Sequence, residues 1–256
     1  MNIKISPGLV DRLRDARHVT ALTGAGTSAE SGVPTFRDAQ TGLWARYRPE
    51  DLATPEAFRT NPQLVWDWYQ WRRGLVSEAE PNPGHYALAE IESCITQHGS
   101  SFTLITQNVD GLHQRVGSQN VIELHGNIMR SKCFDCNWPA GAIVHLHEAG
   151  KGVPHCSRCG GLLRPDVVWF GESLPPDALQ TAWEAAENCD VFFSIGTSAV
   201  VQPAASLPII ARQNGAVLVE VNPSPTLLTR LATYVLQEPS GEVLPALVDA
   251  TCDSIA

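Results

Sequence analysis

His18-Val19-Thr20-Ala21-Leu22-Thr23-Gly24-Ala25-Gly26-Thr27-Ser28-Ala29 is the stretch whose reading decides the fold. His18 to Leu22 is a short buried strand ending in a glycine turn, and Gly24 to Ala29 then fits G-x-G-x-x-G/A. In that pattern the glycines permit a tight turn and close backbone approach to a pyrophosphate. An ordinary glycine-rich turn is the competing reading. The acidic residue that usually ends a second strand about 20 positions on is missing, because Trp44 to Glu50 is not strand-like. A ribose partner must then come from elsewhere.

Working outward, Ser6-Pro7 followed by Leu9, Val10 and Leu13 predicts a capped amphipathic helix before this strand. Further strands are expected at Phe102 to Thr106, Val121 to Leu124, Val191 to Ile195, Ala216 to Val221 and Tyr234 to Leu236. Helical patterns fall between them at Pro62 to Ala79, Gly84 to Gln97, Pro176 to Glu187 and Ala204 to Gln213. This alternation predicts an α/β fold, a Rossmann-like parallel sheet with helices on both faces. Two stretches interrupt it, a Trp-rich helical insertion over 37–85 and a Cys/Gly-rich module over 127–172. Together they should form a smaller lobe beside a large one made of 1–36, 86–126 and 173–256.

Composition excludes several classes. The chain has 256 residues, 43% hydrophobic and 18% charged, which is enough apolar material for one large domain and excludes disorder and fibrous structure. A net charge of -9 and a pI near 5.3 argue against nucleic acid, whose binding rests on clustered Lys and Arg. No apolar run approaches the ~18 residues of a membrane span. Met1 to Val10 lacks the pattern of a signal peptide, so the expected location is cytoplasmic.

Four of the seven cysteines form Cys133-Phe134-Asp135-Cys136 and Cys156-Ser157-Arg158-Cys159. That spacing lets two knuckles present four thiolates tetrahedrally to zinc, closing its coordination sphere, so the metal is structural. His145, His147 and His155 lie nearby but are better read as solvated loop residues. Cys94, Cys189 and Cys252 are most simply small apolar residues.

Other polar groups gather at strand ends. Thr106-Gln107-Asn108-Val109-Asp110-Gly111-Leu112-His113 follows one strand, and Glu123-Leu124-His125-Gly126 ends the next. Gly196-Thr197-Ser198 and Asn222-Pro223 end two more. An open parallel sheet binds its ligand beyond the carboxyl ends of its strands. His125 is the candidate proton acceptor, since imidazole takes a proton near neutral pH.

Taken together, Gly24 to Ser28, Gly32-Val33-Pro34-Thr35-Phe36-Arg37, Gln107 to Asp110, His125-Gly126, the two C-x-x-C pairs, Phe170-Gly171-Glu172, Gly196 to Ser198 and Asn222 occur in the order found in sirtuins. The resemblance covers nearly the whole chain. Tyr69-Gln70-Trp71-Arg72 resembles the Tyr-x-x-Arg motif of the subgroup that removes malonyl, succinyl or glutaryl groups from lysine. Leu52-Ala53-Thr54-Pro55 and Arg164 to Glu172 are similar to that subgroup as well. The loop Phe36 to Trp44 differs from the shorter, more glycine-rich loop common there.

The resemblance implies NAD-dependent deacylation of acyl-lysine-bearing proteins, with NAD and zinc as cofactors. The acyl oxygen attacks the ribose carbon that bears nicotinamide, and an imidate then collapses to lysine and O-acyl-ADP-ribose. It implies His125 as the general base, Asn108 and Gln107 on the nicotinamide ribose, and Asp110 on the nicotinamide amide. Gly24, Ala25, Gly26, Ser28, Phe36 and Arg37 would line the cofactor loop. Gly196 and Thr197 would also meet the cofactor, with Ser198, Asn222 and Ser240 on the adenosine side. Tyr69, Arg72 and Ala53 would form the acyl pocket. The substrate peptide would add as a strand between Phe170-Gly171-Glu172 and Val200-Val201. An ADP-ribosyltransferase or NAD glycohydrolase on the same fold, and a non-enzymatic NAD-sensing adaptor, are the competing classes. Neither a membrane nor a nucleic acid partner is expected, and the oligomeric state is left open.

Overall fold

The computed structural model describes residues 3–34, 46–140 and 152–255. Phe36, Arg37, His145 and His147 lie outside the described residues. The chain runs α1 (Pro7–Asp15), β1 (His18–Thr23), α2 (Ala25–Ala29), α3 (Pro49–Leu52), α4 (Pro55–Thr60), α5 (Pro62–Glu78), α6 (Pro83–Gln97) and β2 (Ser101–Thr106). It continues through α7 (Leu112–Arg115), β3 (Val121–Glu123), β4 (Gly126–Cys133), β5 (Leu163–Val167), α8 (Pro176–Asn188) and β6 (Val191–Ile195). Last come α9 (Leu207–Gln213), β7 (Val217–Val221), β8 (Tyr234–Leu236) and α10 (Ser240–Ile255).

Six strands form one sheet in the order β3-β2-β1-β6-β7-β8, every pair parallel. With the separate antiparallel β4–β5 pair set aside, this is the doubly wound 3-2-1-4-5-6 order, whose switch point lies between β1 and β6. Alternate residues of each strand feed opposite faces. Val19, Ala21, Leu104 and Phe193 pack with Leu9, Leu88, Ile91 and Leu244 of α1, α6 and α10. Leu22, Ile105, Phe192 and Leu218 pack with Ala182, Ala186, Leu207 and Ala211 of α8 and α9. Both faces are thus covered, as the near-continuous apolar strands require. Among the described residues no helix is long and apolar enough to cross a membrane.

Some expectations shift. The Ser6 side chain makes no capping bond; Pro7, preset for the first turn, and the Ser6 carbonyl start α1 instead. The helix expected from Ala204 opens as a 3-10 turn, Ala204–Ser206, before α9. Ala216 and Leu124 fall just outside their strands. Helix α10 is not anticipated by the pattern, because Pro245 inside it obscures the periodicity.

Candidate active site and metal centre

At the switch point two turns are pressed together. Gly24 donates its N–H to Ile195 and Gly26 to Gly196. A Cβ on Gly24 would lie 2.8 Å from the Gly196 carbonyl oxygen, and one on Gly26 2.8 Å from the Gly196 Cα. Gly196 itself sits at φ 59, in the left-handed region. The first two glycines of the motif, one the N-cap of the short α2 and the other in its first turn, therefore serve close backbone packing at the mouth of the crevice.

The polar run after β2 closes over this loop. Asn108 donates from Nδ2 to the Gly24 carbonyl at 3.0 Å and to Ser28 Oγ at 2.9 Å, and its own N–H is held by Thr106 Oγ1. With both amide donors engaged, its side-chain carbonyl keeps acceptor capacity to spare. Gln107 donates from Nε2 to Thr197 Oγ1 at 3.1 Å, tying β2 to the turn after β6. Asp110 accepts from the Leu112 N–H at 2.9 Å. Burial pushes its carboxyl above the usual range, opposed by the Leu112 and Ser28 contacts and by the nearby Arg72 charge.

His125 follows β3 and is half-buried. Its Nδ1 lies 2.9 Å from the Gln107 carbonyl, an acceptor only, so Nδ1 carries the proton and Nε2 keeps its lone pair. Burial holds its pKa below 6.5, with the Gln107 bond opposing. Its neutral form is thus the resting one near pH 7.

Helix α5 carries the second group. Asn61 caps it by accepting from the Leu64 N–H. Tyr69 and Arg72, one turn apart, are both buried, as is Ala53. Tyr69 and Ala53 share a cluster with Trp68 and Trp169. Arg72 stacks its guanidinium 5.1 Å from the Trp68 ring centre. Burial lowers the Arg72 pKa, offset by attraction to Tyr69 and Asp110. The structure thus brings the Tyr69/Arg72 face toward Asp110. Phe170, Val200 and Val201 are exposed.

The four cysteine sulfurs lie within 4.8 Å of one another. Cys133 and Cys159 are 3.4 Å apart and Cys136 and Cys156 3.9 Å. A tetrahedron with Zn–S bonds of about 2.3 Å places its sulfurs about 3.8 Å apart, so the four thiols are gathered at close to the spacing zinc requires. Among the described residues no other cluster of this kind occurs. Trp66 of α5 packs on Cys133 and Cys156, which joins the metal module to the helix bearing Tyr69 and Arg72. His155 is exposed, with Nδ1 bonded to the Gly160 carbonyl.

Residues 24–203 match the model of the Sir2 family. The chain belongs to the Sir2 family. This sirtuin is 52% identical over 242 residues to NAD-dependent protein deacylase 2 of Pyrobaculum aerophilum, covering 94% of each chain. It is 49% identical over 253 residues to the NAD-dependent protein deacylase of Methylococcus capsulatus, covering 97% of this chain and 98% of that one. Among solved structures, a Sir2 homologue in complex with NAD superposes with a TM-score of 0.89 at 48% identity, covering 99% and 96% of the two chains. A Sir2 homologue variant in complex with 2'-O-acetyl ADP ribose gives 0.87 at 48% identity, with 98% of both chains covered.

Several expected residues of the sirtuin are occupied with partners of their own. Ser240 donates to Glu30 Oε1 at 2.9 Å, and that carboxylate also takes the Gly241 N–H. Asn222 donates to the Ser224 carbonyl, and Ser198 is exposed. The Glu172 carboxylate faces Arg164, 2.5 and 2.9 Å away, and accepts the Trp169 N–H. Others near the crevice went unread in sequence. Asn82 donates to the Thr27 carbonyl at 2.7 Å while capping α6, and His85 Nε2 lies 3.4 Å from Ser28 Oγ. His113, at 4.8 Å from His85, meets Thr23 Oγ1. Pro81-Asn82-Pro83-Gly84-His85 signals a helix start, but its partners on α2 and just after it are more than 50 positions away.

Proposed function

We propose that this sirtuin, an NAD-dependent protein deacylase, acts on lysines carrying acidic acyl groups and transfers the acyl group to ADP-ribose with release of nicotinamide. One observation carries the acyl preference: a buried guanidinium, Arg72, one helical turn from a buried phenol, Tyr69, beside the small Ala53 and facing Asp110. A guanidinium offers a planar fork of donors matched to a carboxylate, and a phenol adds one hydroxyl. Ala53 leaves room for a chain longer than acetyl.

The remaining roles are those the sirtuin resemblance implies. NAD supplies an electrophilic ribose carbon and the hydroxyl that finally receives the acyl group. The Asn108 side-chain carbonyl and Gln107 would hold the nicotinamide ribose, and Asp110 the nicotinamide amide. Gly24 to Ser28 with Gly196 and Thr197 would hold the pyrophosphate, and Ser198, Asn222 and Ser240 would serve the adenosine side; Phe36 and Arg37 are assigned to the cofactor by the resemblance alone. His125 takes the ribose hydroxyl proton at Nε2, the atom its Gln107 bond leaves unprotonated. The peptide would lie between Phe170-Gly171-Glu172 and Val200-Val201, a rim on which the Phe170, Val200 and Val201 side chains are exposed. The cysteines hold zinc away from these steps and keep β4 and β5 in place.

Incubation with NAD and one peptide bearing either succinyl- or acetyl-lysine tests the reading by product. O-succinyl-ADP-ribose marks deacylation, whereas ADP-ribosylated peptide or free ADP-ribose alone would mark the competing classes. A hydrogen bond to a charged group contributes about 1.5–3 kcal/mol, so Arg72→Met should lower the succinyl-to-acetyl ratio of kcat/KM by roughly one to two decades. An unchanged ratio would overturn the acidic-acyl reading.

A further inference from the structure

The orientation of the Tyr69 hydroxyl is set by a residue outside the pocket motif. Tyr69 is 3% exposed, and its ring is wedged edge-on against Trp68, with centroids 4.6 Å apart at 80°. Its oxygen lies 3.0 Å from Nε1 of Trp169. An indole N–H can only donate, so in this contact the phenol accepts. The phenol's own proton is therefore not consumed by its nearest partner. The neighbouring charge on the same helix, Arg72, also carries only donors. Tyr69 Oη thus accepts from Trp169 while keeping its own proton for an acceptor such as a carboxylate, and the nearest carboxylate charge, that of Glu172, is already taken up by Arg164 and the Trp169 backbone N–H.

Trp169 is itself fixed from three sides. The Arg164 guanidinium lies over its ring, 3.3 Å from the centre, and Phe58 packs against it at 5.4 Å. Arg164 is 3% exposed and bonds the Val167 carbonyl and both oxygens of Glu172. Glu172 closes the loop by accepting the Trp169 backbone N–H at 2.8 Å. Arg164 of β5 and Glu172 of the following turn, with Phe58 of α4, thereby aim the Trp169 indole N–H at one oxygen of α5.

We propose that Trp169 is a specificity-determining positioning residue: by donating its indole N–H to Tyr69 Oη, it commits the phenol proton to the carboxylate of an acidic acyl group. The Arg164–Glu172 pair holds the indole in that pose. This proposal rests on the acidic-acyl reading above. Burial, which pushes the Tyr69 pKa up to about 12, keeps the hydroxyl a donor throughout the working pH range.

The test is a double-mutant cycle between Trp169→Phe and Tyr69→Phe, read as the ratio of kcat/KM on succinyl- and acetyl-lysine forms of one peptide. Loss of the phenol donor should lower that ratio about tenfold or more. Trp169→Phe should lower it several-fold in the wild-type background and have no further effect in the Tyr69→Phe background, where no hydroxyl remains to orient. Because the smaller ring leaves a void, a second variant carries benzothienylalanine at 169, which keeps the bicyclic ring and replaces only the N–H. It should lower the ratio in the same way. A purely structural role for Trp169 would lower both substrates together and leave the ratio unchanged, and that result overturns the proposal. So does a Trp169 effect that persists in full without the Tyr69 hydroxyl. If Arg72→Met lowers the ratio while the Trp169 variants do not, only this proposal fails; if none of the variants moves it, the acidic-acyl reading fails as well.

Discussion

Lowering the pH from 7 to 5 should destabilise the fold through two buried histidines. His85 and His113 are 0% and 1% exposed, with ring centres 4.8 Å apart. Burial depresses their pKa values to about 4 and about 3, the latter lowered also by the His85 charge. An unfolded histidine titrates near 6.5, so between pH 6.5 and 4 the unfolded chain binds protons that the folded one refuses. Stability from each histidine is therefore present above pH 6.5 and lost as the pH falls. At pH 5 the loss relative to pH 7 is about 2 kcal/mol for each, about 4 kcal/mol together. That is a large share of the 5–15 kcal/mol typical of a domain. His18 and His125, also depressed by burial, add in the same direction. His113→Leu isolates one contribution: Nδ1 of His113 has no hydrogen-bond partner among the described residues, and Thr23 Oγ1 retains Thr106 as an acceptor. Urea unfolding of the zinc-loaded protein at pH 7 and pH 5 measures the effect. The wild type should lose about 2 kcal/mol more than the variant over that interval, at unchanged slope m. Equal losses in the two proteins would refute the assignment of His113 as a buried neutral group.

Two further outcomes concern the metal and the base. Purified protein should contain one zinc per chain, and Cys133→Ser or chelation should lower its melting temperature, because the thiolate cluster joins β4, β5 and Trp66 of α5; metal-free protein of equal stability would contradict the closed four-thiolate site. His125→Tyr should cut turnover by ~10²–10⁴ while calorimetry still detects NAD binding. In the wild type, kcat/KM should rise with pH along a limb below 6.5 and level off above it, since burial lowers the His125 pKa.

The positions of the main-sheet strands, the coverage of both sheet faces and the metal ligands are legible in the sequence because each rests on a local signal; the order β3-β2-β1-β6-β7-β8 is not, because strand pairing is non-local. Apolar runs of five or six residues mark β1, β2, β6 and β7, and the two C-x-x-C knuckles carry their own spacing. Gly24 and Gly26 are equally visible, though not the reason for them, which is the approach of Gly196 from a strand 170 positions later. Helix α10 is obscured by Pro245, which breaks the pattern without breaking the helix. What the sequence by itself determined is thus the alternation of elements, the crevice they imply and the types of residue at its rim.

Only the tertiary structure decided which polar group meets which. The tautomer of His125 follows from the Gln107 carbonyl, 18 positions away. The two donors of Asn108 are spent on Gly24 and Ser28, and the Glu172 side chain turns to Arg164. Tyr69 and Trp169 stand 100 positions apart, yet their contact fixes the direction of one hydrogen bond. A hydrogen bond depends on distance and angle over a few tenths of an ångström. Sequence periodicity places a residue on a face and no more finely than that, so such pairings exist only once the elements have packed.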